Sequence, residues 1–349
     1  MVALLSVATA VPAHVFPQSE VARRASLHFG GRYADFERMA QVFASAGIER
    51  RYGIMPMDWY GIAHDWPERT AAYTQGATAL FIAAADKAIR DAGLAAPDID
   101  TIVTVSSTGI ATPSLEARAA QTMDFRPDVA RVPIFGLGCA GGVTGLGMAA
   151  KLARAAPGST VLFVAVEACT LAVRLDQMSK ANIVATALFG DGAAACVVRE
   201  GGGERGLANI ETAAEYMWPD TLGIMGWSVD VEGFGVIFDR SIPPFAVDNL
   251  GAAMTHLMAR MNIERKDVDR FVCHPGGPKV IEAIEAAMAL TAGSLNQERK
   301  VLRECGNMSA PTVLFVLERL LAAGLSGKSV LTALGPGFTL AALSLSANA

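Results

Sequence analysis

Nothing in this chain points to an oxidised or metal-stapled framework. Its five cysteines are an odd number, lie far apart and include no Cys-x-x-Cys pair. Neither a disulfide scaffold nor a metal site is expected from such spacing, and a reducing cytoplasm suits it best. Charge is sparse as well, with 18% Asp, Glu, Lys and Arg, a net charge of −5 and no basic stripe. Nucleic acid is therefore not an expected partner. A secretory signal is also missing, since no Lys or Arg precedes the apolar start MVALLSVATA, which reads as a first strand.

What the chain has in quantity is apolar surface: 52% hydrophobic residues and a mean hydropathy of +0.35. Residues 132–150 and 329–349 carry no charge and are about long enough to span a bilayer. The first is studded with glycine, and Gly335-Pro336-Gly337 breaks the second. Neither has an aromatic belt or two basic flanks, so no transmembrane segment is expected and both read as buried core.

A length of 349 residues suggests two domains or one duplicated one. Residues 77–93 predict a helix, with Ala77, Leu80, Phe81, Ala84 and Ala88 on one face and Gly93 as its stop. The strand 101–107 follows, then a helix after Cys139, then strands 159–166 and 193–198. The same grammar starts again with a helix over 250–261, a strand at 271–274, a helix within 307–321, and strands at 328–334 and 338–346. The expected fold is a duplicated α/β architecture with a hydrophobic helix layer between two sheets. Its halves are residues 1–205 and 206–349.

Cys139 sits where the apolar run 132–135 meets a glycine-dense turn and a helix of small residues. Unpaired N–H groups at a helix N-terminus favour a thiolate, and Gly138, Gly141 and Gly142 leave room for a substrate to approach. In the second half His274 ends a strand in His-Pro-Gly-Gly-Pro, and Asn307 precedes a helix in Gly-Asn-Met-Ser-Ala. The bland readings are a structural histidine and a helix N-cap. Pseudo-twofold symmetry would instead bring Cys139, His274 and Asn307 to one site. A Cys–His pair forms a thiolate–imidazolium nucleophile, and Asn offers a neutral donor to a developing oxyanion. The other cysteines read as structural, and so does His64, which has no second ligand nearby. Arg50 and Arg51 are either surface charges or contacts for an anionic substrate.

The pieces GLGCAGG (136–142), ALFGDGAAA (187–195), HPGGP (274–278), GNMSA (306–310) and GPGFT (335–339) occur in this order. Together they resemble the chalcone synthase family, the type III polyketide synthases, from about residue 75 to the C-terminus. The resemblance implies a thiolase-like, duplicated α-β-α-β-α layered fold, a homodimer and a catalytic triad. By motif match Cys139 carries the acyl chain as a thioester. His274 and Asn307 hold the thioester oxygen of malonyl-CoA while CO2 leaves, and the resulting enolate attacks the acyl-Cys.

Phe189 matches the family's gatekeeper aromatic, and Ser309 and the Gly335-Pro336-Gly337 loop match cavity-lining positions. Ala172 stands where plant enzymes carry Thr, and Thr112 where they carry the Met that crosses the dimer interface; both are expected to alter the cavity. Phe234 and Phe238 are the alternatives for a second gatekeeper. Of the basic residues that meet CoA phosphates in plant enzymes only Arg38 has a match, with Lys279, after the Gly276-Gly277 turn, as an added candidate. No cofactor is implied beyond the substrates acyl-CoA and malonyl-CoA.

The leading expectation is a bacterial-type enzyme condensing an acyl-CoA starter with malonyl-CoA, with long-chain starters and alkylpyrone or alkylresorcinol products as one version. An initiating β-ketoacyl-carrier-protein synthase is a second reading, although that family follows its His with Gln-Ala-Asn. A non-catalytic acyl-CoA-binding protein is the third.

Overall fold

The apolar periodicities resolve into alternating strands and helices in the computed structural model, which describes residues 1–201 and 206–347. The expected junction at 205/206 and the last two residues of the charge-free run 329–349 touch the residues outside it. The first half holds β1 (Val2–Ala10), β2 (His14–Pro17), α1 (Gln18–Phe29), α2 (Phe36–Ser45), β3 (Arg50–Gly53), α3 (Trp66–Asp91), β4 (Thr101–Val105), α4 (Leu115–Ala119), β5 (Ala130–Ile134), α5 (Gly141–Ala155), β6 (Thr160–Ala168), α6 (Lys180–Leu188) and β7 (Asp191–Glu200). The second half holds β8 (Ala208–Met217), β9 (Met225–Asp230), β10 (Gly233–Phe238), α7 (Ile242–Arg260), β11 (Arg270–Cys273), α8 (Pro278–Ala287), α9 (Asn296–Cys305), α10 (Thr312–Ala322), β12 (Gly327–Gly335) and β13 (Thr339–Ala347).

The duplication is visible in the strand order. One sheet runs β11-β12-β13-β8-β1-β7-β6-β4-β5, so β1-β7-β6-β4 on one side repeats as β8-β13-β12-β11 on the other. Corresponding pairs share their sense: β4–β6 and β11–β12 are parallel, and β6–β7 and β12–β13 antiparallel. Two sheets were expected. Pairing of Val2, Ala3 and Leu4 with Ile210, Asn209 and Ala208 joins them into one and leaves no unpaired edge at the seam.

Helices α5 and α10 fill the space between the halves, with Val143, Leu146, Val313 and Leu317 in one cluster with core residues of β1, β6 and β13. Such closeness requires small residues. A Cβ on Gly142 would lie 2.1 Å from the Ala310 carbonyl oxygen, and one on Gly145 2.4 Å from the Phe163 ring. The outer face of the first half is covered by α3, which begins at an Asp65–Glu68 capping box and ends before Gly93 at φ +68°. On the other half α7 and α8 do the same through Leu250, Leu257, Ile281 and Ile284. No helix among the described residues is long and apolar enough to cross a membrane.

Candidate active site

Cys139 is held by a turn that the sequence builds from glycine. After β5 the chain passes Gly136 at φ +91° and Gly138 at φ +49°, conformations an L side chain rarely adopts. The Ser107 hydroxyl, just past β4, accepts both amides of this turn, from Gly136 at 3.1 Å and Gly138 at 3.2 Å. The Gly335-Pro336-Gly337 loop after β12 closes on it: a Cβ on Gly138 would sit 2.6 Å from Pro336 Cδ, and one on Gly335 2.6 Å from Ala140 Cβ. Gly141 and Gly142 abut Val105 and Ala310, so they serve helix packing rather than the substrate approach expected of them.

Asn307 is fixed from both sides. Its amide donates to the Leu188 carbonyl at 2.8 Å, and its carbonyl accepts from the Gly190 amide at 3.0 Å, forming a bridge between Phe189 and Asn307. Its Nδ2 donates to the Gly276 carbonyl at 3.1 Å, and its Oδ1 accepts the Ser309 amide at 2.8 Å. The helix behind it starts at Thr312 with Pro311 as N-cap, so Asn307 is no cap. His274 extends β11 by donating its amide to Thr332 at 2.9 Å. Its ring is buried, and neither ring nitrogen has a partner. Two orphaned polar atoms in a buried site call for a reason, and a ligand supplies one.

Cys139, Phe189, Asn307, Ser309 and Pro336 line one cavity of about 40 Å³. His274 is not among its lining residues; the Asn307 Nδ2 bond to the Gly276 carbonyl ties Asn307 to the turn two residues after His274. The opposite wall comes from the β9–β10 hairpin, through Met225, Trp227, Val236 and Phe238. Of the two aromatic alternatives Phe238 lines the cavity, whereas Phe234 stacks on Trp227 at 6.0 Å. Trp227 meets Phe189 edge-on at 6.3 Å and donates its indole N–H to the Ser107 carbonyl at 2.7 Å. Nothing in the sequence marks Trp227, because β9 and β10 carry no motif and pair only with each other.

Cys169, read from the sequence as structural, also lines the cavity. Two residues before it, Glu167 is fully buried; its Oε2 accepts the Ser107 amide at 2.9 Å and the Thr108 hydroxyl at 2.7 Å. Sequence reasoning passed over it because a glutamate inside an apolar strand has no spacing signature.

The electrostatics reverse one expectation. Burial pushes the Cys139 thiol up to about 12, a rise that the Ser309 hydroxyl opposes. Burial pushes His274 down to about 4. Both shifts come from desolvation, which works against the thiolate and imidazolium forms expected of the pair. Burial also lifts Glu167 to about 8 and Cys169 well above the usual thiol range.

The remaining expected residues sit as follows. Ala172 is buried and packs in the same apolar cluster as Phe189 without lining the cavity. Gly337, at φ +109°, is held by the Thr221 hydroxyl, which donates to its carbonyl at 3.0 Å. Thr112 is exposed, directly before Pro113, and lies outside the cavity of its own chain. Arg38 is exposed on α2 and paired with Asp35 at 3.1 Å; Lys279 is exposed in the first turn of α8, after the buried Gly276 and Gly277. Neither Arg38 nor Lys279 touches the cavity. Arg51 fits neither alternative given for it, being buried with its Nη1 donating to the Phe189 carbonyl at 3.2 Å. His64 is structural: it stacks on Trp59 at 3.7 Å and bonds Glu68 and the Trp59 carbonyl.

Comparison with known proteins places this geometry. Residues 62–202 match the model of the chalcone and stilbene synthase N-terminal domain, and residues 209–347 that of the C-terminal domain. The 1,3,6,8-tetrahydroxynaphthalene synthase of Streptomyces peucetius is 39% identical over 95% of this chain and 90% of its own. The phloroglucinol synthase of Pseudomonas fluorescens is 29% identical over 94% and 96%. The crystal structure of 1,3,6,8-tetrahydroxynaphthalene synthase from Streptomyces coelicolor, a bacterial type III polyketide synthase, superposes with a TM-score of 0.92 at 28% identity, covering 99% of both chains. The chain thus belongs to the chalcone and stilbene synthase family, and is a type III polyketide synthase that condenses malonyl-CoA with an acyl-CoA starter.

Proposed function

We propose that this enzyme makes a small aromatic polyketide from malonyl-CoA and a short starter, as the names of its tetrahydroxynaphthalene- and phloroglucinol-synthesising relatives suggest. The observation that carries this is the cavity at Cys139. Its volume of about 40 Å³ is room for roughly three waters, and Trp227 and Phe238 are among the bulky side chains that line it. The long-chain version of the expectation has no such support.

In this reading Cys139 carries the growing chain. As a starter thioester approaches, His274 takes the Cys139 proton while the sulfur attacks, the CoA C–S bond breaks, and His274 returns the proton to the departing CoA sulfur. His274, with one N–H and no internal partner, and Asn307, with one amide hydrogen beyond that given to Gly276, donate to the thioester oxygen of malonyl-CoA. Loss of CO2 leaves an enolate held by these two neutral donors in a dry pocket. The enolate attacks the acyl-Cys139 carbonyl and displaces the Cys139 sulfur, so the extended chain is now a CoA thioester, which is passed back to Cys139 for the next round.

Arg38 and Lys279 are the proposed contacts for CoA phosphates, with the Gly276-Gly277 turn between Lys279 and the site. Replacing each with Ala is expected to raise KM for malonyl-CoA more than it lowers kcat. The chain is further read as a cytoplasmic homodimer needing no cofactor. The free buried cysteines support the compartment, and exposed Ile110 and Phe135 near Thr112 support the dimer face. Light scattering and assays after chelation test these points.

Purified protein given malonyl-CoA alone, then with short, aromatic and long-chain acyl-CoAs, tests the main reading. The expected result is CO2 release and one small aromatic product mass with malonyl-CoA alone or a short starter. Turnover confined to long-chain starters would overturn it. A requirement for carrier protein would restore the second reading, and unchanged biological function in Cys139→Ala the third.

A further inference from the structure

Arg51 is a charged side chain buried beside the site, and the proposed chemistry makes no use of it. It is 2% exposed. Of its guanidinium, Nη1 donates to the Phe189 carbonyl at 3.2 Å and Nη2 has no partner at all. A buried cation with an unused donor costs stability, so its place there calls for a reason.

The surroundings of its stem supply that reason. A Cβ added to Gly190 would lie 3.2 Å from Arg51 Cβ, and one on Gly306 3.3 Å from the same atom and 3.5 Å from Cδ. The arginine is therefore wedged between two glycines, one following Phe189 and the other preceding Asn307. Those are the two segments joined by the Phe189–Asn307 bridge. Three elements thus converge on one side chain: β3, the turn between α6 and β7, and the loop after α9.

Among the described residues the counter-charge that acts on it is Asp191. That carboxylate is already occupied, accepting from the Thr170 amide at 2.8 Å, the Thr170 hydroxyl at 2.6 Å and the Ile54 amide at 2.9 Å. Asp191 holds the far end of the same turn. Arg51 and Asp191 together grip the Phe189-Gly190-Asp191 segment at its first carbonyl and its last side chain.

We propose that Arg51 is a positioning residue for decarboxylation, setting the register of the Phe189–Asn307 bridge and through it the aim of the Asn307 amide. This rests on the role given to Asn307 above. Acyl loading of Cys139 depends on the Ser107-pinned turn, which Arg51 does not touch, so the two half-reactions separate.

The test uses the full-length enzyme and two variants. Arg51→Met keeps the stem and removes the donor and the charge; Arg51→Lys keeps the charge and loses the planar fork. Cys139 acylation is followed by intact mass after acyl-CoA addition, decarboxylation by CO2 release from malonyl-CoA, and folding by thermal melting. The expected result for Arg51→Met is acylation within about twofold of wild type and CO2 release down by about tenfold or more, the size of effect small misalignments have. KM should stay unchanged and Arg51→Lys should fall between. Equal losses in both half-reactions, no loss in either, or failure of both variants to fold would overturn the proposal and leave Arg51 a strut. If only Arg51→Met fails to fold, the split in Arg51→Lys decides. Asn307→Ala is the control: if it releases CO2 normally, the role of Asn307 itself is wrong, and if it does not while the Arg51 variants do, only the present inference fails.

Discussion

Trp227 and Ser107 tie the cavity wall to the turn that carries Cys139. The indole N–H donates to the Ser107 carbonyl at 2.7 Å, while the Ser107 hydroxyl accepts the two amides of the turn that presents Cys139. One residue therefore sets the distance between the β9–β10 hairpin and the thiol.

Trp227→Ala should open this wall. Products of greater mass, or acceptance of longer starters, are expected by mass spectrometry, together with a loss of about 2 kcal/mol of stability from the partly buried ring. An unchanged product mass would show that Trp227 does not limit chain growth.

Asn307→Ala removes the amide donor and frees the Gly276 carbonyl and the Ser309 amide. CO2 release from malonyl-CoA should fall by about 10²–10³-fold, as for loss of one oxyanion donor. Acylation of Cys139, measured by intact mass, should persist.

His274 sets a pH signature. Its folded pKa of about 4 lies below the 6.5 of the free side chain. Between those values the unfolded chain binds a proton that the native state does not, so stability falls as pH falls through this window. Denaturant titrations at pH 7 and pH 5 should show a loss of about 2 kcal/mol from this group, and His274→Gln should remove that share. An acid limb of the Cys139 acylation rate near pH 6.5 would contradict the neutral imidazole.

Gly142→Ala tests the helix layer. The added Cβ would meet the Ala310 carbonyl at 2.1 Å and Val313 Cγ1 at 2.9 Å, forcing α5 and α10 apart. A loss of about 2 kcal/mol or more is expected in denaturant melts.

The repeat was legible because α3, α7 and the strands of both halves carry clean periodicity, and the punctuating residues Gly93 and Pro311 fall near element ends. Cys139, His274 and Asn307 were legible for a different reason: each sits in a short turn whose glycines and prolines leave few conformations. Trp227, Cys169 and Glu167 were not. Each lies within or next to an ordinary strand, and its approach to Cys139 is decided by how distant strands pair.

By itself the sequence determined which segments are strands and helices, their twofold repetition and the residue types of the site, since local periodicity and turn chemistry act over a few residues. Tertiary structure decided the joining of β1 to β8, the cavity's small size, the burial of Arg51 behind Phe189 and Asn307, and the desolvation of Cys139 and His274. Those depend on which surfaces exclude water, and desolvation is a property of the packed whole.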